Sequence, residues 1–482
     1  MALSFKSFSV QLNTVERQAL RYSLFALSVK KMELSKINRV FFVGIGGIGM
    51  SALARYFAKR GQVVCGYDKT RTKLTEALER EGILITYIDE ASALPLAFLD
   101  NHDDTLVVYT PAIPKDSKIL NHFIDHVFAL KKRSEVLGII SKGMFCIGVA
   151  GTHGKTTTSS IVAHILKDTG YDCTAFLGGI TSNYNSNVLF GKNNVVVVEA
   201  DEYDRSFLTL HPDIAVVTSM DADHLDIYGD KSHLEESFRL YANQLKENGT
   251  LYAHEGLPLE NSISYAASIT AEARAENLRV VESKFVFDYK DQSTSIKNIE
   301  LMLPGKHNVE NTTVAIAIAL KLGIDAEKIK EAVANFKGVK RRFEYIVNNN
   351  DQIYIDDYAH HPEELRACFD AVRQLYPDKK LTVIFQPHLF TRTRDFADEF
   401  AKVLSTADEL MLLEIYPARE LPLEGINSQF LLDKITSNNK KVCGKDFVIQ
   451  HVKETKPELI LTVGAGDIDT LIDPLKNTIN NA

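Results

Sequence analysis

Met144-Phe145-Cys146-Ile147-Gly148-Val149-Ala150 runs without a polar break into Gly151-Thr152-His153-Gly154-Lys155-Thr156-Thr157-Thr158, and Ser159-Ser160-Ile161-Val162-Ala163-His164-Ile165-Leu166 follows with helical apolar spacing. A buried strand, a glycine loop ending in Gly-Lys-Thr and a helix make a phosphate-binding P-loop. In that unit the backbone N–H groups of Gly151, Thr152, His153, Gly154 and Thr157 surround phosphates. Lys155 reaches the terminal phosphates and the Thr156 hydroxyl suits a Mg²⁺ ion. The pattern departs from the commonest form, since Val149 stands where a first glycine is usual.

A second glycine signature lies upstream. Arg39-Val40-Phe41-Phe42-Val43 reads as a strand, Gly44-Ile45-Gly46-Gly47-Ile48-Gly49 as a tight turn, and Met50-Ser51-Ala52-Leu53-Ala54-Arg55-Tyr56-Phe57 as a helix. This is a Rossmann-like diphosphate cradle, with Gly46, Gly47, Ile48 and Gly49 facing the ligand. The next strand candidate ends at Asp68, where such folds place a carboxylate on a ribose hydroxyl. Two phosphate signatures of different kinds imply two phosphorylated ligands.

At 482 residues the chain exceeds one core and suggests about three domains. The expected fold is α/β throughout: a Rossmann-like N-terminal domain over 36–138, a central P-loop ATPase-like domain with a mostly parallel sheet over 139–337, and a C-terminal Rossmann-like α/β domain over 338–482. Residues 1–35 read as an extension, and Met32 is a candidate translation start. A composition of 45% apolar and 24% charged residues with net charge −8 fits a soluble protein and excludes a nucleic-acid surface. No stretch has the ~20 apolar residues of a membrane span. Five scattered cysteines without metal-ligand spacing fit a reduced, cytoplasmic protein.

Acidic and histidine-bearing segments follow several strand candidates, at the edge where open α/β sheets bind ligands. Val195-Val196-Val197-Val198 leads into Glu199-Ala200-Asp201-Glu202, and Asp213-Ile214-Ala215-Val216-Val217-Thr218 into Asp221-Ala222-Asp223-His224. Beside Thr156, Glu199 and His224 are metal-ligand candidates, while Asp221, Asp223 and Asp226 read individually as helix caps or solvated loop charges. Gly305-Lys306-His307-Asn308 precedes an Ala-rich helix that Asn308 is placed to cap, with His307 and Asn311 facing a pocket. Lys340-Arg341-Arg342 sits at a domain junction, where Arg342 is placed to reach phosphate or simply to be solvated. Asp356-Asp357-Tyr358-Ala359-His360-His361 and Gln386-Pro387-His388-Leu389-Phe390-Thr391-Arg392-Thr393-Arg394 follow two strands of the third domain. Together these two loops read as one anion-binding site.

The ordered set Gly-Thr-x-Gly-Lys-Thr-Thr (151–157), Glu-Ala-Asp-Glu (199–202), Asp-His-Leu-Asp (223–226), Gly-x-His-Asn-x-x-Asn (305–311), Arg-Phe-Glu (342–344) and Asp-Tyr-Ala-His-x-Pro (357–362) closely resembles the Mur ligases of bacterial cell-wall synthesis. The resemblance implies an ATP-dependent, Mg²⁺-requiring amide ligase. Gly46 to Gly49 would hold the uridine diphosphate of a substrate, and Gly151 to Thr157 the ATP phosphates. Asn308 and Asn311 would lie near adenine, Arg342 and Asp357 near phosphate and ribose, and His361, His388 and Arg392 on the amino-acid side. The opening glycine turn, Gly151-Thr152-His153-Gly154 and Gln386-Pro387-His388 look like the member that joins L-alanine to UDP-N-acetylmuramate. The alternative is the member that reattaches recycled tripeptide to the same nucleotide sugar. Two departures stand out: no lysine occurs over 232–245, where several relatives carry a carbamylated one, and Leu389 and Phe390 follow His388. A nicotinamide dehydrogenase would explain the first glycine turn and Asp68, and a nucleotide switch the P-loop, but neither uses the whole set. A monomer or weak homodimer is expected.

Overall fold

In the computed structural model the chain divides into two compact units, Met1–Val136 and Leu137–Ala482. The structure describes residues 34–99, 103–221, 228, 230–282, 284–418 and 420–480. The candidate start at Met32 and the candidate ligand His224 lie outside the described residues.

The first unit holds a five-stranded parallel sheet in the spatial order Leu84–Thr86, Val63–Tyr67, Arg39–Val43, Thr105–Tyr109 and Ala129–Lys132. Arg39–Val43 is central and covered on both faces, which is why it reads as an unbroken apolar run. It ends in Gly44, and the helix Ile48–Lys59 starts from Gly47. The sequence-derived strand, turn and helix are therefore all present.

The second unit carries two sheets. The ten-stranded sheet has Phe145–Ala150 between Ile214–Val217 and Val195–Glu199, all parallel. Thr250–His254, Ile263–Ala266 and Ala273–Val281 extend it in parallel beyond Ile214–Val217, and Lys284–Lys290 and Ser295–Leu301 close that end as antiparallel strands. The sheet is thus mostly parallel, with antiparallel margins. The helix Lys155–Asp168 leaves the P-loop and is buried from Thr156 to Leu166. It packs beside the helix Lys306–Lys321, whose run from Thr312 to Ala319 is equally dry. Small Ala, Ser and Thr side chains on both helices permit that close approach.

The six-stranded sheet runs Glu344–Asn348, Ile353–Asp357, Leu459–Val463, Leu381–Phe385, Glu409–Leu412 and Lys440–Val442, parallel apart from the first pair. Asn348 to Asp351 form the hairpin that their turn chemistry implies. One continuous apolar core includes Ile147 and Val197 of the larger sheet and Ile355, Val383 and Leu461 of the smaller.

Candidate nucleotide site

The P-loop geometry follows from its glycines. Gly154 has φ +83°, a conformation open to glycine and costly for other residues, and the helix begins at the next residue, so its first N–H groups face the loop. The end of the neighbouring strand braces the loop. The hydroxyl of Ser219 accepts from His153 N at 2.8 Å and lies 2.9 Å from that of Thr152, while the Thr218 hydroxyl donates to the His153 carbonyl.

Lys155 folds across its own loop. Its Nζ donates to the Gly151 carbonyl at 2.6 Å and meets Glu202 Oε2 at 2.7 Å. Glu202 is only 1% exposed, and burial pushes its carboxyl up to about 7 against the pull of Lys155. Burial disfavours the charged lysine as well, yet Glu202, Asp201 and Glu199 together hold the ammonium above its ordinary range. Sequence reading quoted Glu202 within an acidic run and gave it no role. The signal was its position three residues after Glu199, at the end of the strand next to the P-loop.

Glu199 sits at the carboxyl end of Val195–Glu199 and accepts from the Thr156 hydroxyl at 3.1 Å and from Gly178 N at 2.9 Å. A hydroxyl and a partly buried carboxylate side by side are the hard oxygen donors a Mg²⁺ ion takes, so the residues fit that ion. Among the described residues there is no cluster of three or more His, Cys, Asp or Glu side chains with metal-ligand geometry. Gly178 gives a direct probe, because a Cβ there would stand 2.2 Å from Glu199 Oε1. Gly178→Ala is expected to displace the carboxylate and lower turnover about 10²-fold, the usual cost of an ångström-scale misplacement. Its Mg²⁺ requirement should also shift to higher concentration, and an unchanged Mg²⁺ titration would count against Glu199 as a ligand.

Beyond the loop, a pocket gathers residues that are far apart in sequence. His153, Gly154, Thr157 and Ser219 form one wall, His307, Asn308 and Asn311 a second, and Arg342, Asp357 and Glu364 a third. Asn308 does not cap the helix as expected. The helix starts two residues earlier, at Lys306, and the Asn308 amide donates to the Pro304 carbonyl at 2.7 Å from within the first turn.

The third wall is a strained loop. Arg341 and Phe343 have φ of +61° and +49°, rare for residues with a side chain. Asp357 holds that shape, accepting from Phe343 N at 2.6 Å and from Ala359 N at 2.7 Å. Arg341, weighed in sequence only as part of a charge cluster, is structural. It pairs with fully buried Asp356 at 3.1 Å and donates to the Gly464 carbonyl at 2.6 Å. Arg342 is left above the Tyr358 ring and beside the pocket. Arg341→Met leaves Asp356 buried without its cation and should cost about 3–5 kcal/mol in chemical denaturation. A loss under about 1 kcal/mol would show that the pair is dispensable.

Glu364 joins the P-loop to the C-terminal sheet. Its Oε1 lies 3.2 Å from His153 Nδ1, and its Oε2 accepts from His360 N at 3.0 Å and from His361 N at 3.3 Å. It too had no role from sequence, although a glutamate three residues after a helix N-cap, here His361, is a capping-box signal. His361 is buried, its ring 5.4 Å from that of His153. His388 stacks on Tyr416 and approaches His360, and Arg392 stands on the short helix Phe390–Asp395. None of these three lines the pocket described above.

In the first unit, Asp68 accepts from Gly46 N at 2.7 Å through Oδ2 and from Thr70 N at 3.1 Å through Oδ1. It therefore braces the glycine turn, where the sequence reading had placed it on a ribose. Arg133 packs so closely that its Nη1 would lie 2.5 Å from a Cβ on Gly49. This cation beside the turn was missed, because it starts a helix nearly ninety residues downstream.

Fold and site define a multidomain α/β protein in which a P-loop and residues flanking a second sheet line one pocket. Three family models match consecutively: Mur ligase family, catalytic domain, over residues 39–144; Mur ligase middle domain over 149–319; and Mur ligase, glutamate ligase domain, over 341–468. The chain is 49% identical over 447 residues to a UDP-N-acetylmuramate--L-alanine ligase of Christiangramia forsetii, covering 93% of this chain and 99% of the relative. With its counterpart in Flavobacterium psychrophilum it shares 50% over 449 residues, covering 93% and 100%. Among solved structures it is similar to the UDP-N-acetylmuramate-alanine ligase of Thermotoga maritima, with TM-score 0.79, 26% identity and coverage of 92% and 99%. It also shares the fold of a murein peptide ligase from Psychrobacter arcticus, with TM-score 0.66, 22% identity and the same coverage. The chain belongs to the Mur ligase family.

Proposed function

We propose that this protein joins L-alanine to the lactyl carboxylate of UDP-N-acetylmuramate and consumes ATP in doing so. The observation that carries the reading is the shared pocket, in which P-loop residues and Arg342, Asp357 and Glu364, from a loop, a strand end and a helix at the second sheet, line one space. The near-full-length likeness to relatives of that name supports the choice of substrates.

A carboxylate is a poor electrophile, so it must first acquire a leaving group. The lactyl oxygen attacks the γ-phosphate of ATP, giving an acyl phosphate and ADP. The amine of L-alanine then displaces phosphate and forms the amide. Lys155 and Arg342 stabilise the charge spread over the transferred phosphoryl, while the P-loop N–H groups hold its neighbours in line. A Mg²⁺ ion, when bound by Thr156 and Glu199, neutralises phosphate charge, and His224 is the further candidate ligand. His307, Asn308, Asn311 and Asp357 position the nucleoside, and Gly46 to Gly49 with Asp68 form the uridine diphosphate cradle. His361, His388 and Arg392 take the amino-acid side. No protein nucleophile is required.

This reading divides the chain at 138/139 and 337/338, after an extension over 1–35, and places a monomer or weak homodimer in the cytoplasm. Among the described residues no helix is long and apolar enough to cross a membrane. Phosphate release that depends on both UDP-N-acetylmuramate and L-alanine is the expected result, with other amino acids and recycled tripeptide as the comparison panel. Release with tripeptide in preference to alanine would transfer the assignment to the recycling activity.

A further inference from the structure

Glu202 is a buried acid that the ligation chemistry does not use, and it shares a cation that the chemistry needs. The Lys155 ammonium has three N–H donors. It directs them to the Gly151 carbonyl at 2.6 Å, the Thr152 carbonyl at 3.2 Å and Glu202, whose Oε1 and Oε2 lie at 3.0 and 2.7 Å. A phosphate oxygen that takes one of these donors must displace a present partner. The two carbonyls belong to the loop that cradles the phosphates and keep their places with it, so Glu202 is the partner that gives way.

A carboxylate displaced there has poor means of staying charged. Its side chain is 1% exposed, so water solvates it weakly. Asp201, the preceding residue, adds charge of the same sign. The Arg205 guanidinium rests over the Tyr228 ring, and the Tyr228 hydroxyl donates to the Glu202 main-chain carbonyl at 2.6 Å, so that proton serves the backbone and not the carboxylate. Glu199 stands apart, its oxygens on Thr156 and Gly178. Burial already pushes the Glu202 carboxyl up to about 7 with Lys155 beside it. A triphosphate brings further negative charge to the same ammonium, which disfavours the ionised acid still more.

We propose that ATP takes Lys155 from Glu202 and that the Glu202 carboxylate takes a proton from solvent in exchange, so that nucleotide binding and protonation of a buried acid occur together. Lys155 remains an ammonium throughout, and the buffer supplies the proton. When the phosphates leave, the carboxyl returns its proton and recovers the lysine. Glu202 is then a positioning residue that holds Lys155 across the loop until a triphosphate claims it. The inference rests on the ligase reading for ATP as the nucleotide and adds a proton to its binding step.

Calorimetric titration of the intact protein with ATP and Mg²⁺, repeated at one pH in buffers of different ionisation enthalpy, counts the protons taken up. At about pH 8, where the free carboxyl is mostly ionised, the parent should take up about one proton per ATP, and at about pH 6, where Glu202 already holds one, far less. By the same linkage its affinity for ATP should fall about three- to tenfold between about pH 7 and 8. Glu202→Gln has no carboxylate to protonate, so its uptake at about pH 8 should be lower by about one proton and its ATP affinity should lose most of that pH dependence. A parent that binds ATP with no proton uptake, or a Glu202→Gln protein with the parental uptake, would overturn the exchange and leave the ligase reading standing. A parent that binds no ATP would sink both.

Discussion

Lys155→Met is expected to abolish ligation and to destabilise the fold, and the added change Glu202→Gln is expected to restore the fold alone. The two effects have different origins. Turnover depends on a cation at the transferred phosphoryl, and losing one such group costs about 10²–10³-fold or more. Stability depends on Glu202, which is 1% exposed and draws its counter-charge from Lys155 at 2.7 Å. A carboxylate stranded there costs about 3–5 kcal/mol, unless it takes up a proton. Double-variant protein that melts like the parent and stays inactive supports the catalytic assignment. Recovery of turnover in the double variant would mean that Lys155 serves only to neutralise Glu202.

The same pair predicts a pH signature. The Glu202 carboxyl is raised from 4.5 to about 7, so its contribution to stability is complete below 4.5 and disappears as pH rises through 7. Relative to the parent, Glu202→Gln should therefore gain stability between about pH 4.5 and 8, by an amount of order 3 kcal/mol. Lys155→Met should show the opposite trend, losing more at high pH. Urea denaturation at pH 5 and pH 8 measures both differences, and a pH-independent gap would show that Glu202 does not titrate in this range.

Much of this was legible in the sequence because it is local. Strand, glycine loop and helix sit within one short segment at both phosphate signatures, and a short unbroken β-branched run such as 195–198 reads as a central strand. The unread parts depend on which strand ends become neighbours. Glu202 reaches Lys155 only because Val195–Glu199 pairs with Phe145–Ala150, and Glu364 reaches His153 across 211 positions. Arg341 and Arg342 are adjacent in sequence and opposite in role, one buried on Asp356 and the other beside the pocket. Composition gives no means of telling them apart. The misplaced cap at Asn308 has a similar cause, since Asn prefers caps in general but here finds a carbonyl four residues back.

Asp357→Ala is expected to lower turnover at least about 10²-fold through Arg342, without touching the phosphoryl group itself. The loop carrying Arg342 contains two side-chain residues at positive φ, Arg341 and Phe343, each costing about 1–3 kcal/mol to hold there. Asp357 supplies two of the bonds that hold the turn, to Phe343 N and Ala359 N. With these gone, the turn relaxes, two partly buried N–H groups lose their acceptor, and stability falls by about 3 kcal/mol. Arg342→Met should lose comparable turnover and far less stability, because its guanidinium rests on Tyr358 and holds no backbone. If Asp357 acts by placing Arg342, the double variant is no slower than the worse single one. Rate losses that multiply would instead mean that the nucleoside contact proposed for Asp357 in the pocket wall outweighs its hold on Arg342.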